Sequence, residues 1–114
     1  MPGLLLIIRS MSPETIYTAV MSYYPESQYK FIRFERSHVP TKKYDAVLKN
    51  RTTGREVKVP FGAKSYQQYK DQALGLYSHL DHGDAKRRAA YKSRHSGDTN
   101  KPYSASWFSL KYLW

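Results

Sequence analysis

Two alternating segments on either side of a turn constrain the fold of this chain more than any other feature. In 44–49 ("YDAVLK") and 55–61 ("REVKVPF"), apolar and polar residues alternate with the period of two that is typical of β-strands. The intervening "NRTTG" ends in Gly54, which can adopt the positive φ angle that a short loop needs. We therefore predict a β-hairpin at 44–61, with Pro60 on an edge strand or near a strand end. The side chains expected on one face of each strand are Tyr44, Ala46 and Leu48 on the first, and Arg55, Val57, Val59 and Phe61 on the second.

A strand–helix–strand pattern precedes the hairpin. Residues 3–9 ("GLLLIIR") predict a buried strand. Ser12 and Pro13 are typical of a helix start, and Pro25 is expected to end that helix. Residues 27–36 ("SQYKFIRFER") predict a second strand. The fold class we expect is α+β, with a small mixed sheet (strand–helix–strand plus a β-hairpin) in a unit spanning 1–62.

The remaining residues, 63–114, predict a basic helical or irregular arm packed on that unit, within a single domain overall. Residues 65–80 are weakly helical in pattern, with an interruption at Gly75. Asp84 is expected to cap a helix over "AKRRAAYKSRH" that stops at Gly97. The aromatic C-terminal tail, "SASWFSLKYLW", predicts a final helical segment capped by Ser104 or Ser106.

Charge is concentrated in the later part of the chain. The net charge is +10, and residues 41–114 contain fifteen of the nineteen Lys and Arg residues but six of the nine acidic ones. This balance favours a polyanionic partner or an acidic protein surface. There is no cysteine, which excludes disulfides and thiolate metal sites. The apolar segment Leu4–Ile8 is too short for a membrane span and lacks the features of a secretion signal, so we expect neither.

Clustered His and Asp residues at 79–84 raise the alternative of a metal or nuclease site. "HLDH" matches the second half of the H-x-H-x-D-H motif of metallo-β-lactamase-like hydrolases, but Tyr77 occupies the first histidine position. Asp81 and Asp84 are better interpreted as caps of turns and helix starts. We therefore expect no metal, no cofactor, no catalytic residue and no small-molecule substrate.

The basic helix carries the candidate contact residues. Arg88, Tyr91 and His95 are spaced to share one helix face. Three interpretations stay open: contact with a phosphate backbone, a solvated charged helix, or arginines packed against acidic grooves of neighbouring proteins. Tyr, Trp and Arg favour the last, because these residues dominate protein interfaces. The candidate partner- or phosphate-contacting residues are Lys86, Arg87, Arg88, Tyr91, Lys92, Arg94 and His95.

The aromatic tail has two interpretations of equal weight. Its side chains either complete the core of this chain or fill a pocket on a partner. The candidate tail anchors are Trp107, Phe108, Leu113 and Trp114.

Over roughly residues 44–114 the chain resembles a family of small, basic, functionally uncharacterised proteins of nucleocytoplasmic large DNA viruses. The resemblance rests on the hairpin closing in "FG" at 61–62, on "YKD" at 69–71, on a D-x-x-R-R-x-x-Y-x-x-R-H motif and on the aromatic ending. The motif residues are Asp84, Arg87, Arg88, Tyr91, Arg94 and His95, and the ending comprises Trp107, Phe108, Ser109, Leu113 and Trp114.

The resemblance implies a viral protein and brings no catalytic residues with it. With the interface-rich composition, it predicts a non-enzymatic structural protein of the virion, a minor capsid or cement component that contacts other capsid proteins. Such a protein would be made in the host cytoplasm. The alternative is a basic nucleic-acid-binding protein that helps to condense or package the genome.

Overall fold

The computed structural model describes residues 24–114; the strand predicted at 3–9 and the helix predicted from Ser12 lie outside these residues. The described part contains a three-stranded antiparallel sheet in the order β1–β2–β3 and two α-helices, which confirms a mixed α+β fold. The elements are β1 (Tyr29–Arg36), β2 (Lys42–Asn50), β3 (Glu56–Ala63), α1 (Ala85–Arg94) and α2 (Ala105–Tyr112), with 3₁₀ turns at Ser78–Leu80 and Ser96–Asn100.

The predicted hairpin is formed by β2 and β3. Tyr44 lies opposite Phe61, Ala46 opposite Val59, and Leu48 opposite Val57, so the predicted apolar faces coincide. Gly54 has a φ of +76°, as the short turn requires. Among the described strands β3 lies at the sheet edge, where Pro60 is tolerated because one side of the strand needs no ladder donor.

A β-bulge in β1 brings two phenylalanines to the same face. The pairing with β2 shifts between Phe31 and Arg33, so Ile32 is an extra residue in the ladder. Phe31 and Phe34, three positions apart, consequently both contact Phe108 of α2, at ring-centroid distances of 5.9 and 6.1 Å. Strict alternation would have placed them on opposite faces.

Helix α2 covers this sheet face. Its start matches the prediction, because the Ser104 hydroxyl accepts a hydrogen bond from the backbone N–H of Trp107 at 3.2 Å. Phe108 stacks on Phe61 with ring centroids 5.5 Å apart, and both Phe108 and Leu113 are 1% exposed. Part of the aromatic tail therefore completes the core of its own chain.

One local prediction for the arm is wrong, and the end of helix α1 differs by one residue from the predicted range. No α-helix forms over 65–80 in the described structure; this segment consists of turns, extended backbone and one 3₁₀ turn at Ser78–Leu80. Its backbone N–H groups donate to carboxylates instead, including Asp71 to Asp81 and Tyr77 to Asp71. Helix α1 ends at Arg94, before Gly97, because the chain turns into the second 3₁₀ segment, where the N–H of Asp98 donates to the carbonyl of His95.

Candidate partner-binding groove

An open groove of about 680 Å³ runs between the loop at 65–67 and helix α1. None of the described residues that line it has an acidic side chain. They are Ser65, Tyr66, Gln67, Arg87, Ala90, Tyr91, Arg94 and Trp114. The groove thus combines two guanidinium groups with an aromatic wall, a composition suited to an anionic partner with apolar surface.

The start of α1 sets the positions of the groove arginines. The Asp84 carboxylate accepts from the backbone N–H groups of Lys86 (2.9 Å) and Arg87 (3.2 Å), which confirms the predicted cap. With the helix beginning at Ala85, Arg87, Ala90 and Arg94 recur at helical spacing along one face. That face forms one side of the groove.

The predicted contact stripe of Arg88, Tyr91 and His95 lies on a neighbouring face and is used largely within the chain. The Nε of Arg88 donates to the carbonyl of Trp114 at 2.8 Å, and its guanidinium carbon lies 4.7 Å from the centroid of the Tyr69 ring. His95 contacts the carboxylate of Asp98 through Nδ1 at 2.9 Å. These contacts hold α1 against the rest of the molecule.

Tyr91 forms the aromatic wall of the groove together with Trp114. The two rings are nearly parallel, at 4° and a centroid distance of 4.2 Å, and Tyr91 also stacks on His95 at 4.3 Å. Burial, with a smaller contribution from the charge of Asp98, raises the pKa of Tyr91. The Tyr91 ring is thus engaged with two partners inside the chain. The freely exposed ring on the groove lining is Tyr66, at 71%.

A buried lysine fixes the opposite side of the groove. Lys43 is 1% exposed, and its Nζ donates to the carbonyls of Ala63 (2.5 Å) and Tyr66 (2.7 Å). Burial lowers the pKa of Lys43, and the charge of Asp71 acts in the opposite direction. This lysine ties the 63–66 loop to the sheet and so positions Tyr66.

A buried polar network under the loop was not found by sequence reasoning. The Tyr44 hydroxyl donates to the Asp71 carboxylate at 2.5 Å and accepts from the N–H of Leu76 at 2.9 Å. Burial first, and then the hydrogen bond to Asp71, raise the pKa of Tyr44. Asp81 accepts from both the Gln68 amide (2.6 Å) and the Asp71 N–H (2.8 Å). In the sequence, the "YKD" motif, which includes Asp71, was the feature that could have indicated this network.

The same loop segment supplies hydrogen-bond donors for the backbone carbonyls at the C-terminal end of α2. The backbone N–H groups of Tyr69 and Lys70 donate to the carbonyl of Leu113 at 3.0 and 3.1 Å, and that of Gln72 donates to Tyr112 at 2.8 Å. Carbonyls at a helix C-terminus have no partner within the helix, so these bonds supply one. The chain end is thereby held where Trp114 can reach Tyr91.

The other predicted contact residues are dispersed. Lys86 and Lys92 are exposed on α1 outside the groove. Lys92 lines a smaller cavity of about 370 Å³ with Trp107, whose ring lies 4.6 Å from the Lys111 ammonium. Of the four predicted tail anchors, Trp107 and Trp114 are half-buried, whereas Phe108 and Leu113 belong to the core and are not accessible in this conformation.

The residues considered for a metal have other roles. Asp81 and Asp84 accept backbone and amide hydrogen bonds, and the Nδ1 of His82 accepts from the Asp84 N–H at 2.9 Å. Within residues 24–114, no three His, Asp or Glu side chains gather in a way that could hold a metal ion. In the same residues, no helix has the length and apolarity to cross a membrane.

Comparison of the chain with protein-family models, curated proteins and solved structures finds no match.

Proposed function

We propose that this protein is a non-enzymatic structural component of a large DNA virus particle, in which the groove holds an acidic segment of a neighbouring capsid protein. The observation that carries this proposal is the groove itself, with Arg87 and Arg94 on one side, an aromatic wall and no acidic side chain on its lining. Arginine forks bind carboxylates with directional, often bidentate hydrogen bonds. The aromatic side chains offer apolar contact beside them.

The internal stacking of Tyr91 supports a protein partner over a series of stacked nucleobases, with Tyr66 as the exposed ring that remains on the lining. Proteins that bind single-stranded nucleic acid stack bases on aromatic faces. Tyr91 instead stacks on Trp114 and His95 within the chain. Nucleic-acid binding is our second candidate, and the observation that favours it is the excess of positive charge over residues 41–114.

A paired charge removal on α1 tests the proposal. Arg87→Gln/Arg94→Gln removes both groove arginines, and Lys86→Gln/Lys92→Gln removes two charges from the same helix outside the groove. The probe is a labelled peptide of alternating Glu and Leu residues, with duplex DNA measured in parallel. We expect the arginine pair to weaken peptide binding about tenfold or more and the lysine pair to change it little. Equal losses from both pairs, or tighter binding of the DNA than of the peptide by the wild type, would contradict the proposal.

A separate experiment tests where the protein lies in the virus particle. Cross-linking of purified virions followed by mass spectrometry is expected to join Lys64, Lys86 or Lys92 to a capsid protein. Absence of the protein from purified particles, or its recovery with the DNA fraction alone, would exclude the capsid role.

A further inference from the structure

A separate basic cavity of about 460 Å³ lies where β2 turns into β3, and it shares no residue with the groove. Three of the described residues on its lining are cationic, and none has an acidic side chain. They are Lys30, Lys49, Asn50, Arg51, Thr52, Thr53 and Gly54.

Two lysines in this cavity are held side by side. Lys30 of β1 lies directly opposite Lys49 of β2, an arrangement in which like charges repel. The register also places Glu56 opposite Lys49, but both oxygens of that carboxylate are bound by Arg33, at 3.2 and 3.4 Å. Among the described residues, no carboxylate is within ion-pairing distance of either lysine. The sheet therefore brings together two positive charges that no carboxylate in the described part of the chain neutralises.

A buried amide adds an unused donor to the same cavity. The backbone N–H groups of Thr52 and Thr53 each donate to the Oδ1 of Asn50 at 2.9 Å. These two bonds determine the orientation of the Asn50 side-chain amide. Asn50 is 2% exposed, and its Nδ2 has no hydrogen-bond acceptor among residues 24–114. Buried donors are nearly always paired in folded proteins, so a donor that residues 24–114 leave unpaired in a cavity lined with cations is consistent with an acceptor supplied by a ligand.

The turn positions the third cation. The Nε of Arg51 donates to the backbone carbonyl of Glu26 at 3.2 Å, which holds the guanidinium in place with its terminal nitrogens available. The Lys49 side chain runs along the turn, since its Cε is 3.8 Å from the position that a Cβ on Gly54 would occupy.

We propose that this cavity binds a phosphate group through Lys30, Lys49 and Arg51, with the Thr52 hydroxyl and the Asn50 amide as neutral donors. Phosphate matches the cavity because its oxygens accept from several donors at once and its charge offsets the lysine repulsion. The phosphate is either a small free anion or the backbone of a nucleic acid, and the two share this chemistry. The inference is independent of the groove and its partner.

Titration of the full chain with sodium phosphate, followed by amide NMR spectroscopy at constant ionic strength, tests the site. We expect saturable shifts concentrated at residues 49–54. Lys30→Gln/Lys49→Gln should reduce the affinity at least tenfold, whereas the charge-matched control Lys70→Gln/Lys101→Gln, at exposed positions elsewhere, should leave it unchanged. Shifts that spread over all lysines, or equal losses in both variants, would overturn the proposal.

A second variant keeps the turn while lowering the positive charge of the cavity. Asn50→Asp retains the oxygen that accepts from Thr52 and Thr53, because Asp and Asn form the same turn. It adds a negative charge to the cavity, so we expect phosphate shifts at 49–54 to disappear while the hairpin spectrum is retained. Phosphate binding by a folded Asn50→Asp variant with wild-type affinity would also overturn the proposal.

The source of the phosphate is resolved with a short duplex DNA as a second probe. Loss of duplex binding in Lys30→Gln/Lys49→Gln, but not in the control, would support a nucleic-acid backbone. Saturable phosphate binding with duplex binding unaffected by the lysine pair would support a free phosphate or phosphomonoester. Binding of neither probe at residues 49–54 would exclude the site.

Discussion

Individual side chains in the arm have one of two roles, structural support or an available charge. Tyr91 and Arg88 contact Trp114 through ring stacking and a hydrogen bond, so they organise the groove from within. Arg87 and Arg94 are exposed and line it. Among the described residues, the Arg87 guanidinium forms one hydrogen bond, to the Gln67 side chain at 3.0 Å. This bond lies at the surface and can be exchanged for a ligand. Neighbouring positions on one helix thus differ in function.

Replacement of Trp114 tests the internal role of the tail. Trp114→Ala removes the parallel stack on Tyr91 and should lower the free energy of unfolding by about 2 kcal/mol, less than for a fully buried Trp. Urea denaturation of the wild type and the variant measures this difference in the free energy of unfolding. Lys58→Ala, which removes an exposed lysine in β3, should cost less than about 1 kcal/mol. A similar loss from both changes would argue that the stack contributes little.

His82 predicts a pH dependence of stability. Its Nδ1 accepts from the Asp84 N–H, and its buried Nε2 has no hydrogen-bond partner among the described residues. Burial first, and then the charge of Arg87, lower its pKa below 6.5, against opposing effects of Asp84 and Asp81. The folded state therefore resists protonation more than the unfolded chain does. Stability should be complete above about pH 6.5 and should decrease as the pH falls through the unfolded histidine pKa towards the folded one.

Thermal unfolding between pH 7.5 and pH 5 measures this effect. His82→Gln should flatten the decrease, whereas His79→Gln, at an exposed position, should leave it as in the wild type. An unchanged pH profile in His82→Gln would assign the decrease to other groups.

At the scale of elements, the sequence predicts those features that depend on neighbouring residues. It does not predict those that depend on contacts between distant parts of the chain. The hairpin, the Asp84 cap and the Ser104 cap each depend on residues close in sequence, and all three are confirmed. The bulge at Ile32 and the 65–80 loop depend on α2 and on Asp71, whose partners are distant in the chain. The groove arginines were identified, but their orientation was not, because α1 packs through Arg88 and Tyr91 against residues that the helix pattern alone does not name.

The contact between β3 and α2 predicts the effect of a glycine substitution. Gly62 has a φ of +78°, and a Cβ there would lie 2.8 Å from the Cδ1 of Leu113. Gly62→Ala thus combines backbone strain with a clash in the core, and we expect a loss of about 3 kcal/mol or more. Differential scanning calorimetry on the purified variant would record it.

Gly83 provides the matched control. Its φ is +63°, but a Cβ there would have no neighbour within 4 Å. Gly83→Ala should therefore show the strain alone, about 1–2 kcal/mol. Equal losses in the two variants would mean that Leu113 moves aside at little cost.

At the scale of the molecule, residues 24–114 carry two cationic cavities on different parts of the fold. One is the groove on α1, and the other is the cavity at the hairpin turn, with no residue in common. A net charge of +10 promotes association with any polyanion, so selectivity must come from these built sites rather than from charge alone.

Salt dependence distinguishes the two proposed partner classes at this scale. If duplex DNA were the main partner, contact with about six to ten phosphates would lower the affinity by a factor of 10³ to 10⁵ between 50 and 200 mM salt. We expect binding of the acidic peptide to fall by less than tenfold over the same range, because one or two arginine–carboxylate pairs are involved. Fluorescence anisotropy with both probes measures the slopes; a peptide slope as steep as that of DNA would contradict groove docking.

The packing of α2 on the hairpin also bears on the order in which the molecule can fold. The hairpin depends on contacts between residues close in the chain and can form early. Its apolar face, with Tyr44, Leu48 and Phe61, is only partly covered by β1 until Phe108 and Leu113 arrive from more than forty residues further along the chain. During synthesis on the ribosome this face is consequently exposed for several seconds, at about 5–20 residues per second. A chaperone or an early-binding partner would have its opportunity in that interval.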